Sequence, residues 1–126
     1  CLKNQPEKIS KAVTLSLNKI DNIETILTSN DGYGNSTAAC FDPHMAIVYY
    51  HQNKIVASIS ICLDCNYLIS SVEIPATKKK QIKVTEDYAY PAKGFSKKTR
   101  KKLREFCIAL GFNKYLKPAD AVSIFD

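Results

Sequence analysis

Met45 to His51 and Lys54 to Cys62 are two runs rich in Ile, Val and Tyr, and only Gln52 and Asn53 stand between them. A parallel pair of strands would need a crossover of a dozen residues or more, so two such runs so closely joined must form an antiparallel hairpin. Gln52-Asn53 can supply the positive φ that a two-residue turn requires. In the second run Ile55, Ala57, Ile59 and Ile61 share one face by their period of two, opposite Val56, Ser58, Ser60 and Cys62. Tyr67 to Ile74 follows the tight connection Leu63-Asp64-Cys65-Asn66 as an expected third strand, which Pro75 ends.

The flanks read differently. Val13, Leu15 and Leu17 alternate with Thr14 and Ser16, which predicts a half-buried strand over 11–17. Asp21 and Glu24 form a capping pair ahead of Ile26 and Leu27, which with Ile23 predict a short helix that Ser29-Asn30-Asp31-Gly32 stops. A polar loop runs from Asp31 to Pro43, and its Asn35-Ser36-Thr37 is a glycosylation sequon that matters only in a eukaryotic secretory pathway. The Lys-rich stretch from Ala76 to Phe95 is expected to be exposed, with an edge strand at Ile82 to Thr85.

Ser96 caps a second helix whose apolar stripe is Thr99, Leu103, Phe106, Cys107 and Leu110, and Gly111 ends it with Phe112 placed to fold back on the last turn. The tail, Tyr115 to Asp126, carries Leu116, Val122, Ile124 and Phe125 and is expected to pack. These elements make an α+β domain: a small antiparallel meander sheet, a helix near the N-terminus and an amphipathic C-terminal helix packed on one face. At 126 residues the chain holds one core, and no apolar run approaches the ~20 residues that span a bilayer.

Charge is concentrated rather than spread. Lys97, Lys98, Arg100, Lys101, Lys102 and Arg104 lie within eight residues without an acid among them, while the remaining 12 basic residues balance the 12 acidic ones. The net +6 therefore belongs to one segment, and an electrostatic partner is expected to dock there. Cations in the first turn oppose the helix dipole and repel one another, so that face carries an energetic penalty.

Cys1 followed by the polar stretch Lys3-Asn4-Gln5-Pro6-Glu7-Lys8 has the form left by lipoprotein processing, where the sulfur carries the lipid. That reading predicts a tether over residues 1–10, a single domain over 11–126, and a chain anchored to a bacterial membrane, facing the periplasm. Four cysteines then remain, Cys40, Cys62, Cys65 and Cys107, in a compartment that permits disulfides.

Cys62-Leu63-Asp64-Cys65 is a Cys-x-x-Cys at a strand-to-strand connection, with Cys40 and His44 just ahead of the first hairpin strand. Three thiolates and an imidazole are a common zinc set, so Cys40, His44, Cys62 and Cys65 could hold that metal. Alternatively Cys40 pairs with Cys62 or Cys65 as a structural disulfide, which needs no cofactor, or Cys62 and Cys65 act as a redox pair. A thioredoxin-like mechanism is disfavoured because a strand, not a helix N-terminus, follows the motif. Cys107, on the buried stripe, reads as a packed apolar thiol.

Cys40-Phe41-Asp42-Pro43-His44, Ile61-Cys62-Leu63-Asp64-Cys65-Asn66 and Gly94-Phe95-Ser96-Lys97-Lys98 resemble a family of small uncharacterised bacterial proteins, many made as lipoproteins. That family has a Cys-Phe-x-Pro loop with a histidine, an Ile-Cys-Phe-x-Cys strand end and a basic C-terminal helix. Its histidine usually stands two residues after the proline, where this chain has Met45. The resemblance implies no activity.

The sequence contains no phosphate-binding loop, no Gly-x-Ser-x-Gly and no His-Glu-x-x-His, and nothing orients a nucleophile built from Cys40 with His44 or His51. A non-enzymatic, membrane-tethered interaction module is expected, such as an inhibitor or a toxin-neutralising immunity protein. Its partner would be an acidic protein or an anionic membrane surface. Nucleic acid is not expected outside the cytosol, despite Tyr88, Tyr90 and Phe95 beside lysines.

Overall fold

The computed structural model describes residues 11–39, 41–43, 45–112 and 125. At its centre is the hairpin: β2 (Met45–His51) and β3 (Lys54–Cys62) pair antiparallel from Met45 opposite Ile61 to His51 opposite Lys54. Gln52 and Asn53 both take positive φ, 51° and 65°, and so form the turn that matches the twist of the flanking strands. β4 (Tyr67–Ser70) adds to β3 with Cys62 opposite Tyr67, completing a meander in the order β2-β3-β4.

The inward face of β3 is shorter than period two alone implies. Ile59 and Ile61 are buried, but a bulge sets Tyr49 opposite Ala57 and Tyr50 opposite Ile55. One extra residue on the β3 side breaks the alternation there, and Ile55 is exposed. The third strand also stops early, at Ser70. The Ser71 N–H still donates to Ser58 O at 2.9 Å, but the Ser58 N–H turns to Ser71 Oγ at 2.9 Å and the Val72 N–H to Ser70 Oγ at 3.1 Å, so side-chain acceptors take over where the ladder ends. A 3₁₀ turn follows at Pro75–Lys78.

At the N-terminal side the expected strand over 11–17 does not form. Residues 11–16 have no regular structure, and the helix α1 occupies Leu17–Thr28. Ser16 is its cap, the hydroxyl accepting the Lys19 N–H at 3.4 Å, so the helix starts ahead of Asp21. A five-residue alternation with no pairing strand could not compete with a capped helix whose Ile23, Ile26 and Leu27 are buried.

The polar loop conceals a strand, and the Lys-rich stretch holds its expected edge strand, shifted to Gln81–Lys83, with two more after it. β1 (Tyr33–Asn35) pairs with β7 (Gly94–Phe95), and β5 (Gln81–Lys83) pairs with β6 (Ala89–Pro91) as a fully exposed ribbon. At Gly94 a Cβ would collide with the carbonyl oxygens of Asn35 and Ser36, so only glycine allows β7 this close to β1.

α2 (Lys97–Ala109) begins at Ser96, whose Oγ accepts the Thr99 N–H at 3.2 Å. It ends as its sequence predicts. Gly111 has φ 83°, its N–H reaches Ile108 O at 3.0 Å, and the Phe112 N–H reaches Cys107 O at 2.9 Å, the paired bonds of a Schellman ending. Ile23, Ile26 and Leu27 of α1 meet Leu103 and Phe106 of α2, Ile59 and Ile61 of β3, and Tyr33 and Phe95 of the β1–β7 pair in one core. The α+β architecture is thus present, with a meander sheet and an amphipathic C-terminal helix.

Candidate functional site

The connection between β3 and β4 is a four-residue turn, Leu63 to Asn66, with Asn66 at φ 65°. It brings Cys62 and Cys65 together: their sulfurs lie 2.6 Å apart, and both cysteines are buried. The Cys65 N–H donates to Cys62 Sγ at 3.2 Å, and the Asp42 N–H donates to the same sulfur. Burial, and after it the hydrogen bond with the Cys65 thiol, pushes the Cys62 thiol up to about 11, while the two amides pull it the other way. Phe41 packs on both cysteines, its ring tilted on Tyr67 at 4.8 Å between centroids, and the Ala38 N–H donates to Cys65 O at 2.9 Å.

Arg100 locks this turn to α2. The sequence groups it with the partner-facing cations, but it is only 2% exposed, and that assignment is corrected. Arg100, Leu103 and Cys107 stand three and four residues apart, which puts the arginine on the inward stripe of the helix. Its Nη1 donates to Leu63 O at 2.5 Å and to Asn66 Oδ1 at 3.0 Å, and the guanidinium lies 5.6 Å from the Phe125 ring centre. Asn66 in turn donates from Nδ2 to Ser36 O at 3.0 Å and to Phe95 O at 3.2 Å, while its own carbonyl accepts the Phe95 N–H at 3.1 Å. One buried asparagine therefore ties together the cysteine turn, the loop after β1, β7 and α2.

Lys97, Lys98, Lys101 and Lys102 are exposed, and Arg104 is half-buried. Lys98 Nζ pairs with Asp31 Oδ2 at 3.0 Å across exposed surface. Hydrogen bonding from Ser29 first, and then the Lys98 ammonium, holds the Asp31 carboxyl down at about 2.

Cys107 is buried, with its Sγ 3.0 Å from Met45 Sδ, and burial pushes its thiol up to about 11. His51 pairs with Lys54 at the end of the hairpin remote from Cys62. Cys1 with its tether, Cys40 and His44 lie outside the described residues, as does the tail except for the buried Phe125. Among the described residues no three His, Cys, Asp or Glu side chains converge as metal ligands, and no helix is long and apolar enough to cross a membrane.

Asn66 is the residue that reading the sequence missed. An asparagine directly after Cys-x-x-Cys and before a strand is a signal for a left-handed turn position, but its buried bonds to Ser36, Phe95 and Arg100 have no local signature. No protein-family model matches this chain, and no curated protein or solved structure does so either.

Proposed function

We propose that the chain is a non-enzymatic binding module that captures an acidic protein partner on the solvent face of α2. The observation that carries this reading is the exposure of Lys97, Lys98, Lys101 and Lys102 in the first two turns of a helix with no acid in its first turn. Lys97 and Lys101, and Lys98 and Lys102, are like-charge neighbours four residues apart, each such pair opposing the helix by a few tenths of a kcal/mol. The helix dipole adds about 0.3–1 kcal/mol against each cation near this end. An anionic protein surface would relieve both penalties. The penalty is affordable because Arg100 and the apolar stripe fix the helix independently of these lysines.

The test compares the wild-type domain with a variant in which Lys97, Lys98, Lys101 and Lys102 are all Gln, using poly-glutamate and phosphatidylglycerol vesicles as probes. Each lysine near an anionic surface contributes about 1 kcal/mol, so the variant should bind poly-glutamate at least ~100-fold more weakly at low salt. Equal binding by the two proteins rejects the reading. Binding to vesicles without binding to poly-glutamate replaces the acidic protein with a membrane surface.

A further inference from the structure

We infer that Cys62 and Cys65 form a reversible dithiol–disulfide couple, closed by exchange with a glutathione-type disulfide and reopened by thiols. This site lies apart from the lysine face and does not depend on the binding reading.

The sulfurs stand 2.6 Å apart. A disulfide bond needs about 2.05 Å, whereas two thiolates on one tetrahedral zinc, with bonds of about 2.3 Å, stand roughly 3.8 Å apart. Closing the bond thus requires a shift of about half an ångström, and chelating a metal requires more than twice that in the opposite direction. The turn resists such spreading. Leu63 O is held by Arg100, Cys65 O by the Ala38 N–H, and Asn66 by Ser36, Phe95 and Arg100. A turn fixed from three sides holds the two thiols at high effective concentration, and this favours the intramolecular bond over a mixed disulfide with a small thiol.

Cys65 is 5% exposed where Cys62 is 0%, so the first attack is assigned to Cys65. Its thiolate attacks one sulfur of the oxidant, forming a mixed disulfide and releasing one thiol, which takes the proton Cys65 gave up. Cys62 then attacks Cys65 Sγ, its proton passing to the second thiol released, so the protein loses two hydrogens and the oxidant is reduced to two thiols. In the reverse direction Cys62 is the leaving group. The N–H groups of Asp42 and Cys65 point at its sulfur, where they offset part of the penalty that burial places on the departing thiolate.

The experiment equilibrates the full chain across ratios of reduced to oxidised glutathione, quenches with acid, alkylates under denaturing conditions, and reads intact mass and peptide maps. The expected result is a single transition in which two alkylatable thiols are lost, the crosslink maps to Cys62 and Cys65, Cys107 stays alkylatable, and dithiothreitol restores both thiols. Cys40→Ser should leave the transition in place, and Cys62→Ser should trap glutathione on Cys65. A crosslink to Cys40, glutathione adducts accumulating without an internal bond, thiols that persist at the most oxidising ratio, or stoichiometric zinc that shields both thiols would each overturn the inference. The wild-type map alone decides the matter if Cys62→Ser does not fold.

Discussion

Replacing Asn66 by Ala removes the residue that joins four elements, and its cost follows from the bonds it makes. The variant loses the Arg100 bond to Oδ1 at 3.0 Å and the Nδ2 bonds to Ser36 O at 3.0 Å and Phe95 O at 3.2 Å. The charged bond is worth about 1.5–3 kcal/mol and the Ser36 bond about 1 kcal/mol. The Phe95 bond counts for less because the Asn35 Nδ2 still donates to the same oxygen at 3.0 Å. Holding alanine at φ 65° adds roughly 1 kcal/mol that asparagine largely escapes. The sum is about 4 kcal/mol, a large part of the ~5–15 kcal/mol of a typical domain. Urea unfolding in the presence of reductant, followed by far-UV circular dichroism, should show a midpoint lowered by about 2 M for a slope near 2 kcal/mol/M. Asn35→Ala removes a single part-buried bond and should cost only about 1 kcal/mol. If the two variants lose equal stability, or Asn66→Ala loses less than about 1.5 kcal/mol, the turn is not held as described.

Three further outcomes are expected. Gly94→Ala forces a methyl onto the Asn35 and Ser36 carbonyls, so urea unfolding should show a loss of about 2 kcal/mol or more as β1 and β7 separate. Tyr33→Phe leaves Leu27 O without the buried hydroxyl that donates to it at 2.6 Å and should cost about 1–2 kcal/mol by the same assay. Asp31 should titrate near 2 by NMR, and Lys98→Gln should move it upward. Because the folded value is depressed, its contribution to stability is present above the unfolded value near 3.8 and is lost as pH falls towards 2, so a Lys98→Gln variant should be less sensitive to acid in that window.

Where contacts are local, the residues were legible in order. Gln52 and Asn53 specify their turn because positive φ is a property of two residues, and Ser96 and Gly111 specify the ends of α2 because capping is complete within six residues. The inward stripe Thr99, Leu103, Phe106, Cys107 follows from helical spacing alone. Local patterns misled where two of them overlapped. The alternation over 11–17 lost to the Ser16 cap, and the regular faces of β3 lost to a bulge at Tyr49 and Tyr50 that no single strand encodes.

The candidate site divides along the same line. That Cys62 and Cys65 share one turn, and that four lysines share one helix face, is fixed by spacing of three and four residues along the chain. Only the tertiary structure decides that Arg100 turns inward, that Asn66 is buried beneath it, and that β1 meets β7 across 60 residues of sequence. A cation and an amide look the same in sequence whether solvent or protein satisfies them. Their desolvation is recovered only when the carbonyls of Leu63, Ser36 and Phe95 arrive from distant elements. Local chemistry therefore set which residues could form the site, and long-range packing set which of them face solvent and which hold the turn.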